Sequence, residues 1–521
     1  MFDRSFISDL FPALKEIETE FIIKNNRSVC YCEKTGRLTD EKYILSVNGH
    51  SVKITCSGEK SAFYALCDTE KRMRENSLCD GEYICSPTFS VRGYIEGFYG
   101  KPWDFDKRVS VMTLMAKNRM NTVYYAPKDD IYHRDLWREP YPCEELMKLS
   151  RLVNLASDFY MDFYWCVAPG LSVKYSDDNE FLSLMEKTKQ LYSIGVRNFG
   201  LLLDDIDEDL FFEEDKSCYG ETVNAHIDWI VRYYSALKEI DPAAKLTICP
   251  TLYHGEGNEY YISKLGRNIP SGVSVFWTGR DICSREITSF QAIKFFENTY
   301  HKPLYWDNYP VNDCAMHNEM HISPIIGREA DLYKYSEGII ANCMEYAECS
   351  KIPLVTIADY LWDSENYDSE ASFENAVKQV IGDDSDDLIT FADHLYTSCL
   401  LDGNSRRMNA AFRKIAGAYR SGNKEKALSL YEDYLAKMQK SKEFLSRDLP
   451  ICRELTKWAE KFFVKCDITE KLYLYLKNDD EEYLEEFYSL ADKYYSMPAR
   501  ISEDVDFSVE LEVYLKMLGK K

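Results

Sequence analysis

Between Ser90 and about Asp368 the chain repeats one unit eight times, a short apolar run followed by an amphipathic helical stretch. The runs are VRGYIEG (91–97), NTVYYAP (121–127), DFYWCVAP (162–169), NFGLLLDD (198–205), KLTICPT (245–251), VSVFWTG (273–279), KPLYWDN (302–308) and GIIANCM (338–344). Most are apolar almost throughout, as parallel strands buried on both faces are. The stretches between them, such as DKRVSVMTLMAKNRM (106–120) and ETVNAHIDWIVRYYSALKEI (221–240), carry helical periodicity. Eight strand–helix units in roughly 280 residues predict a closed (β/α)8 TIM barrel.

The flanks read differently. KYILSVNGHSVKITCSG (42–58) alternates and breaks at Asn48-Gly49, a hairpin signal, and SAFYALCDTEKRMREN (61–76) is helical. Beyond residue 369 the strands stop; AFRKIAGAYRSG (411–422) and KEKALSLYEDYLAKMQKSKEFL (424–445) are helical, the latter with Ala427, Tyr431, Tyr434 and Met438 on one stripe. The expected fold is multidomain α/β: a small N-terminal α/β domain (1–88), the barrel (89–368) and a C-terminal helical bundle (369–521).

Composition narrows the partners. With 63 basic and 87 acidic side chains the chain has a formal charge of −24, which disfavours phosphate backbones and anionic lipid. Nucleic acid and membrane are therefore not expected. Seventeen cysteines without a C-x-x-C pair fit a reducing compartment better than a disulfide scaffold. MFDRSFISDLFPALKEIE lacks the basic and apolar regions of a signal peptide, so the expected location is cytoplasmic.

Barrel enzymes build their sites at the C-terminal ends of the strands. Here those ends supply Glu96-Gly97-Phe98-Tyr99-Gly100, Ala126-Pro127-Lys128-Asp129-Asp130, Asp204-Asp205-Ile206-Asp207, Pro250-Thr251-Leu252-Tyr253, Trp277-Thr278-Gly279, Trp306-Asp307-Asn308-Tyr309-Pro310 with Asn312-Asp313, and Asn342. There is no glycine-rich phosphate loop, no Ser-His-Asp set and no metal triad among them. Carboxylates for proton transfer, amides for hydroxyls and aromatics for ring faces describe a sugar site. Asp204-Asp205 follows three leucines, where a buried strand opens. Two adjacent carboxylates in a low-dielectric site are expected to split, one rising in pKa to act as an acid. An acidic surface loop is the alternative, since Asp207, Glu208 and Asp209 follow closely.

Three further signals read as structural. His317-x-x-x-His321 has a spacing that binds zinc on a helix but lacks the adjacent Glu and a third ligand. Asp383–Asp387 lacks the glycine and closing Glu of a calcium loop and reads as a solvated helix start. Cys166, Cys249 and Cys343, expected within barrel strands, read as small buried hydrophobes. No metal and no cofactor are expected.

Seven segments together, RGYIEGFYGKPW (92–103), MNTVYYAPKDDIYHRDLWREPYP (120–142), LLLDDID (201–207), CPTLYHG (249–255), FWTGRDI (276–282), YWDNYPVND (305–313) and IIANCMEYAECSKIPL (339–354), resemble the β-N-acetylglucosaminidases of glycoside hydrolase family 84, the O-GlcNAcase family. The resemblance implies a retaining exo-glycosidase acting on terminal β-linked GlcNAc, with O-GlcNAc on protein Ser/Thr one such substrate, by substrate-assisted catalysis through an oxazoline. The partner is then a β-GlcNAc-bearing glycoside or glycoprotein. It implies that Asp204 orients and polarises the acetamido N–H while Asp205 is the general acid and then base. Gly97 would offer its carbonyl to a sugar hydroxyl, and Lys128 would bind hydroxyl oxygen. Asp313 would grip the 4- and 6-hydroxyls, with Asn342 also on the sugar. Tyr253 and Asn308 would orient the acetamido group, and Trp306 and Thr278 would wall the acetyl pocket. Leu252 and His254 depart from the family's commoner acidic-aromatic pattern around Tyr253. An endo-acting, hyaluronidase-like hydrolase and a non-catalytic glycan-binding protein are the competing readings.

Overall fold

The computed structural model describes residues 22–25, 28–34, 38–49, 51–75, 77–396, 398–400 and 405–502. The reading of the first eighteen residues as no signal peptide lies outside these.

Five strands, β1 (Ile22–Asn25), β2 (Ser28–Lys34), β3 (Tyr43–Asn48), β4 (Ser51–Cys56) and β5 (Gly81–Cys85), form a sheet in the order β1-β2-β4-β3-β5. The predicted hairpin joins β3 to β4 with Asn48 opposite Ser51, and Gly49 takes the left-handed φ of +58° that the turn needs. Helix Glu59–Arg74 packs its apolar face, including Phe63 and Leu66, into the core.

The eight expected strands are all present: β6 (Val91–Glu96), β7 (Thr122–Tyr125), β8 (Asp162–Val167), β9 (Asn198–Leu202), β10 (Lys245–Cys249), β11 (Val273–Trp277), β12 (Pro303–Asp307) and β13 (Gly338–Asn342). Each pairs in parallel with the next, and β13 closes onto β6 with Gly338 opposite Val91. The closure is tight: a Cβ at Gly338 would lie 2.0 Å from the Val91 carbonyl oxygen. Both faces of the strands are buried, hence the continuous apolar runs. Outward side chains join one core with the helices. Inward ones form a separate plug in which Tyr124 stacks on Tyr164 at 4.2 Å and Phe276 meets Trp306 edge-on at 5.1 Å. This cluster packs the barrel interior, and a cavity opens at the C-terminal ends of the strands.

The C-terminal region is helical, with Arg406–Arg420, Lys424–Leu445, Thr456–Asn478 and Glu481–Ser496 as its longer members. The stripe Ala427, Tyr431, Tyr434 and Met438 is buried. This region is fastened to the barrel near its mouth: the Trp458 indole donates to the Asn318 carbonyl at 2.8 Å, and Glu454 accepts the Glu348 and Cys349 amides opening helix Ala347–Trp362. No helix among the described residues is long and apolar enough to cross a membrane.

Candidate active site

Strand β9 continues its ladder one residue past its end, where the Leu203 amide donates to the Cys249 carbonyl at 2.8 Å. Asp204 then points into the mouth, and Asp205 adopts a left-handed φ of +55°. That conformation is uncommon outside glycine but tolerated by Asp. It splays the pair, so Asp204 is 9% exposed while the Asp205 carboxylate is about a third exposed, at 31%.

The two aspartates share one cation. Lys128, carried by the loop after β7, inserts a buried ammonium between them, 3.2 Å from Asp204 Oδ2 and 3.4 Å from Asp205 Oδ2. Tyr99 donates its hydroxyl to Asp205 Oδ2 at 2.7 Å and Tyr253 donates to Oδ1 at 3.2 Å. Burial pushes the Asp205 carboxyl up, but the Lys128 charge and these hydrogen bonds outweigh it and hold Asp205 below the usual carboxylate range. The expectation of a raised Asp205 is therefore corrected: three donors from three other strand ends converge on it. Burial also opposes the Lys128 charge, and the facing Asp204, Tyr99 and Asp205 raise its pKa nonetheless.

Opposite this pair, Asp313 Oδ2 accepts the Tyr99 amide at 2.7 Å, and burial raises the Asp313 carboxyl above its ordinary value. Asn342 donates to Asn308 Oδ1 at 3.0 Å, which also accepts the Trp306 indole at 2.9 Å; the Asn308 amide is spent on the Ile282 carbonyl. The Thr278 hydroxyl is used within its own loop, on the Asp281 carbonyl, while its amide holds the Tyr253 carbonyl at 2.9 Å. At Gly97 a Cβ would collide with the Trp306 ring at 2.7 Å, so glycine here lets the indole lie against the strand end. Among the residues lining this cavity, two buried acceptors are left with no partner: Asp204 Oδ1 and Asn342 Oδ1.

All ten sequence-predicted residues, Gly97, Lys128, Asp204, Asp205, Tyr253, Thr278, Trp306, Asn308, Asp313 and Asn342, line one cavity of about 690 Å³. Sequence reasoning passed over Tyr99, which lies in the quoted end of the first strand but received no role. It also passed over Cys283, Cys314 and Cys399 at the rim; Cys399 comes from beyond the barrel, and no strand-end inspection would find it. Braces stand behind the site. Arg108 grips Glu96 with two hydrogen bonds of 2.7 and 2.8 Å, and Arg328 grips Asp307 at 2.6 and 2.8 Å.

His317 and His321 lie outside any α-helix; His321 is buried on the Pro310 and Val311 carbonyls and Glu319, and His317 is exposed. No group of three or more His, Cys, Asp or Glu among the described residues is arranged to hold a metal ion. Asp383 and Asp384 precede helix Ser385–Ala392, whose first turn holds Asp386 and Asp387. Cys166 and Cys249 are buried in β8 and β10, and Cys343 is buried one residue past β13 rather than within it.

Residues 92–393 match the family model described as beta-N-acetylglucosaminidase. Protein O-GlcNAcase of Rattus norvegicus is 29% identical over 301 residues, covering 57% of this chain and 31% of that protein. The match thus spans about a third of the length of that relative. Among solved structures, a mutant of the Thermobaculum terrenum O-GlcNAc hydrolase superposes with a TM-score of 0.75 at 31% identity, covering 83% of this chain and 95% of that one. CpGH84B superposes with a TM-score of 0.79 at 25% identity, covering 93% and 87%.

Proposed function

This chain belongs to the β-N-acetylglucosaminidases of glycoside hydrolase family 84, and from that premise we propose that it removes terminal β-linked GlcNAc, including O-GlcNAc on protein Ser/Thr, from a cytoplasmic glycoside or glycoprotein. Residues 89–368 form the catalytic domain in this reading, and the acetamido group of the substrate is the nucleophile.

The observation that carries it is the pair of buried, unpartnered acceptors, Asp204 Oδ1 and Asn342 Oδ1. Each lacks the donor that a buried oxygen requires, and leaving such a group unmet costs about 1–3 kcal/mol. An acetamido sugar brings one N–H and several O–H donors. Asp204 takes the N–H, which raises electron density on the acetamido carbonyl oxygen and aims it at C1. That oxygen forms a bond to C1 as the bond from C1 to the aglycone oxygen breaks, and Asp205 gives its proton to the departing oxygen. Water then attacks C1 of the oxazoline, Asp205 takes a proton from it, and the ring reopens with net retention. No protein–sugar bond forms, so the spacing of the two carboxylates does not dictate the stereochemistry.

Asp205 must acquire a proton before its first step. Lys128 and Tyr253, which help to hold it below the usual carboxylate range, are also the residues assigned to the sugar. Their transfer to the substrate removes two of its stabilising partners and lets burial raise the carboxyl. Asp313 and Asn342, across the cavity from the acid, suit the distal hydroxyls of a terminal sugar, which favours exo over endo action.

Substrates carrying one, two and three fluorines on the N-acetyl methyl test the nucleophile. The log of kcat should fall stepwise as the carbonyl oxygen weakens, with a smaller change in binding. A slope near zero, or a glycosyl–aspartate trapped with a 2-fluoro sugar, would replace the acetamido group with a protein nucleophile.

A further inference from the structure

Tyr99 touches both halves of the site. Its hydroxyl is 2.7 Å from Asp205 Oδ2, and its own main-chain N–H is 2.7 Å from Asp313 Oδ2. Arg134 donates to the same hydroxyl oxygen at 3.2 Å. A phenol has one proton, so a cation on its oxygen commits that proton to Asp205 and sharpens it as a donor. The segment holding Tyr99 is pinned beyond it: the Lys101 amide is bound by Glu345, the Trp103 amide by Glu96, and the Trp103 indole by the Met344 carbonyl.

We propose that Tyr99 is a positioning residue that links the hydroxyl clamp at Asp313 to the acid/base at Asp205. The proposal rests on the roles given to those two aspartates above. Tyr99 stays on Oδ2 while Tyr253 leaves Oδ1 for the substrate, so the transferable proton rides on Oδ1. A sugar seated on Asp313 loads the carboxylate that holds the Tyr99 amide. Residue 99 therefore feels the clamp through its backbone and the acid through its side chain.

Tyr99→Phe deletes one oxygen and keeps both the ring and the main-chain N–H. The other groups around Asp205 remain: Lys128 from the β7 end, Asp204 beside it, Tyr253 and Cys249 from the β10 side, and Asp313 and Cys314 from the β12 side. Losing one hydrogen bond to a charged group should slow a glycopeptide with a poor leaving group roughly 10–100-fold, and 4-nitrophenyl β-GlcNAc less than about threefold. The alkaline limb of kcat/KM should move to higher pH, because the ionised acid has lost a donor. The penalty for deleting the sugar 4-hydroxyl should be smaller in Tyr99→Phe than in wild type, since the link is already cut. Arg134→Gln, which leaves the phenol in place, should shift the same limb in the same direction by less. Unchanged melting temperatures separate these effects from misfolding.

Equal losses on both leaving groups with an unmoved alkaline limb would overturn the proposal, and so would penalties that simply multiply. If wild type fails to hydrolyse 4-nitrophenyl β-GlcNAc at all, the functional reading falls instead. The two failures are thus distinguishable.

Discussion

Strand β6 ends in two unlike environments. At its lower end Arg92 is 1% exposed, yet its guanidinium donates to the Phe89 and Arg119 carbonyls and to Glu41, and lies 5.4 Å from the Trp362 ring. Beside it Arg119 pairs with Asp68 at 3.3 Å over the same indole, at 4.2 Å. One Arg92 nitrogen and the hydroxyl of the neighbouring Tyr64 lack a hydrogen bond, but Glu41 and Asp68 are each matched to a cation. At its upper end the strand opens on Gly97 and a cavity where Asp204 and Asn342 keep unmet acceptors and Asp205 sits in a left-handed conformation. The lower cluster spends its charges on joining the N-terminal sheet to the barrel. The upper one holds polar groups in reserve for a ligand, and functional sites are where such locally unfavourable arrangements persist.

The contrast breaks most sharply at Asp205→Asn. The amide cannot donate an acid proton, so glycosides with poor leaving groups should slow by roughly 10²–10⁴-fold, while activated aryl glycosides slow far less in the glycosylation step. The melting temperature should change little, because Asn keeps the side chain's shape, tolerates the left-handed φ of +55° and leaves Lys128 paired with Asp204. Equal losses on both substrate types would remove Asp205 from the acid role.

The converse experiment is Asp68→Ala at the lower end. Asp68 is 3% exposed and meets Arg119, Arg72 and the Tyr43 hydroxyl. Removing one partner of a buried pair leaves an uncompensated charge and costs about 3–5 kcal/mol. Denaturant unfolding should show that loss, with kcat/KM per folded molecule unchanged. A fall in kcat/KM without a fall in stability would mean that the two ends are not independent.

The same two regions mark what the sequence reveals. Strand periodicity, the Asn48-Gly49 turn and the list of strand ends follow from local pattern, and the structure assembles all eight strands and all ten candidate residues in one mouth. The ionisation of Asp205 does not follow from local pattern. Adjacency in sequence showed two carboxylates but not that Lys128, Tyr99 and Tyr253 arrive from three other strands, and those long-range donors decide which way the carboxyl shifts. Tyr99 was visible as a letter and invisible as a link, since its importance rests on Asp313, which is 214 positions away. The lower cluster was harder still. Nothing in the spacing of Glu41, Asp68, Arg92 and Arg119 marks them as neighbours until the N-terminal sheet docks under the barrel.

The mildest test of the contrast is the pH dependence of that docking, through Glu41. Burial pushes its carboxyl up, but Arg92 at 2.9 Å and Lys60 at 2.7 Å, by charge and hydrogen bond, bring it down to about 2 from an ordinary 4.5. A carboxylate whose pKa is lower folded than unfolded contributes stability that is complete above the unfolded value and is lost as pH falls toward the folded one. The contribution should therefore be constant from neutrality to about pH 5 and decline between about 4.5 and 2. Glu41→Gln removes the charge at every pH, so its urea midpoint should sit below wild type by a fixed margin at pH 7 and 5. That margin should narrow at pH 4 and again at pH 3, because wild type is then losing what the variant never had. The Glu96 carboxyl at the other end of β6 is raised by burial despite Arg108, so Glu96→Gln should show no such narrowing over the same window. A margin for Glu41→Gln that stays constant down to pH 3 would place its worth in packing rather than charge, and would remove the electrostatic half of the contrast between the two ends of the barrel.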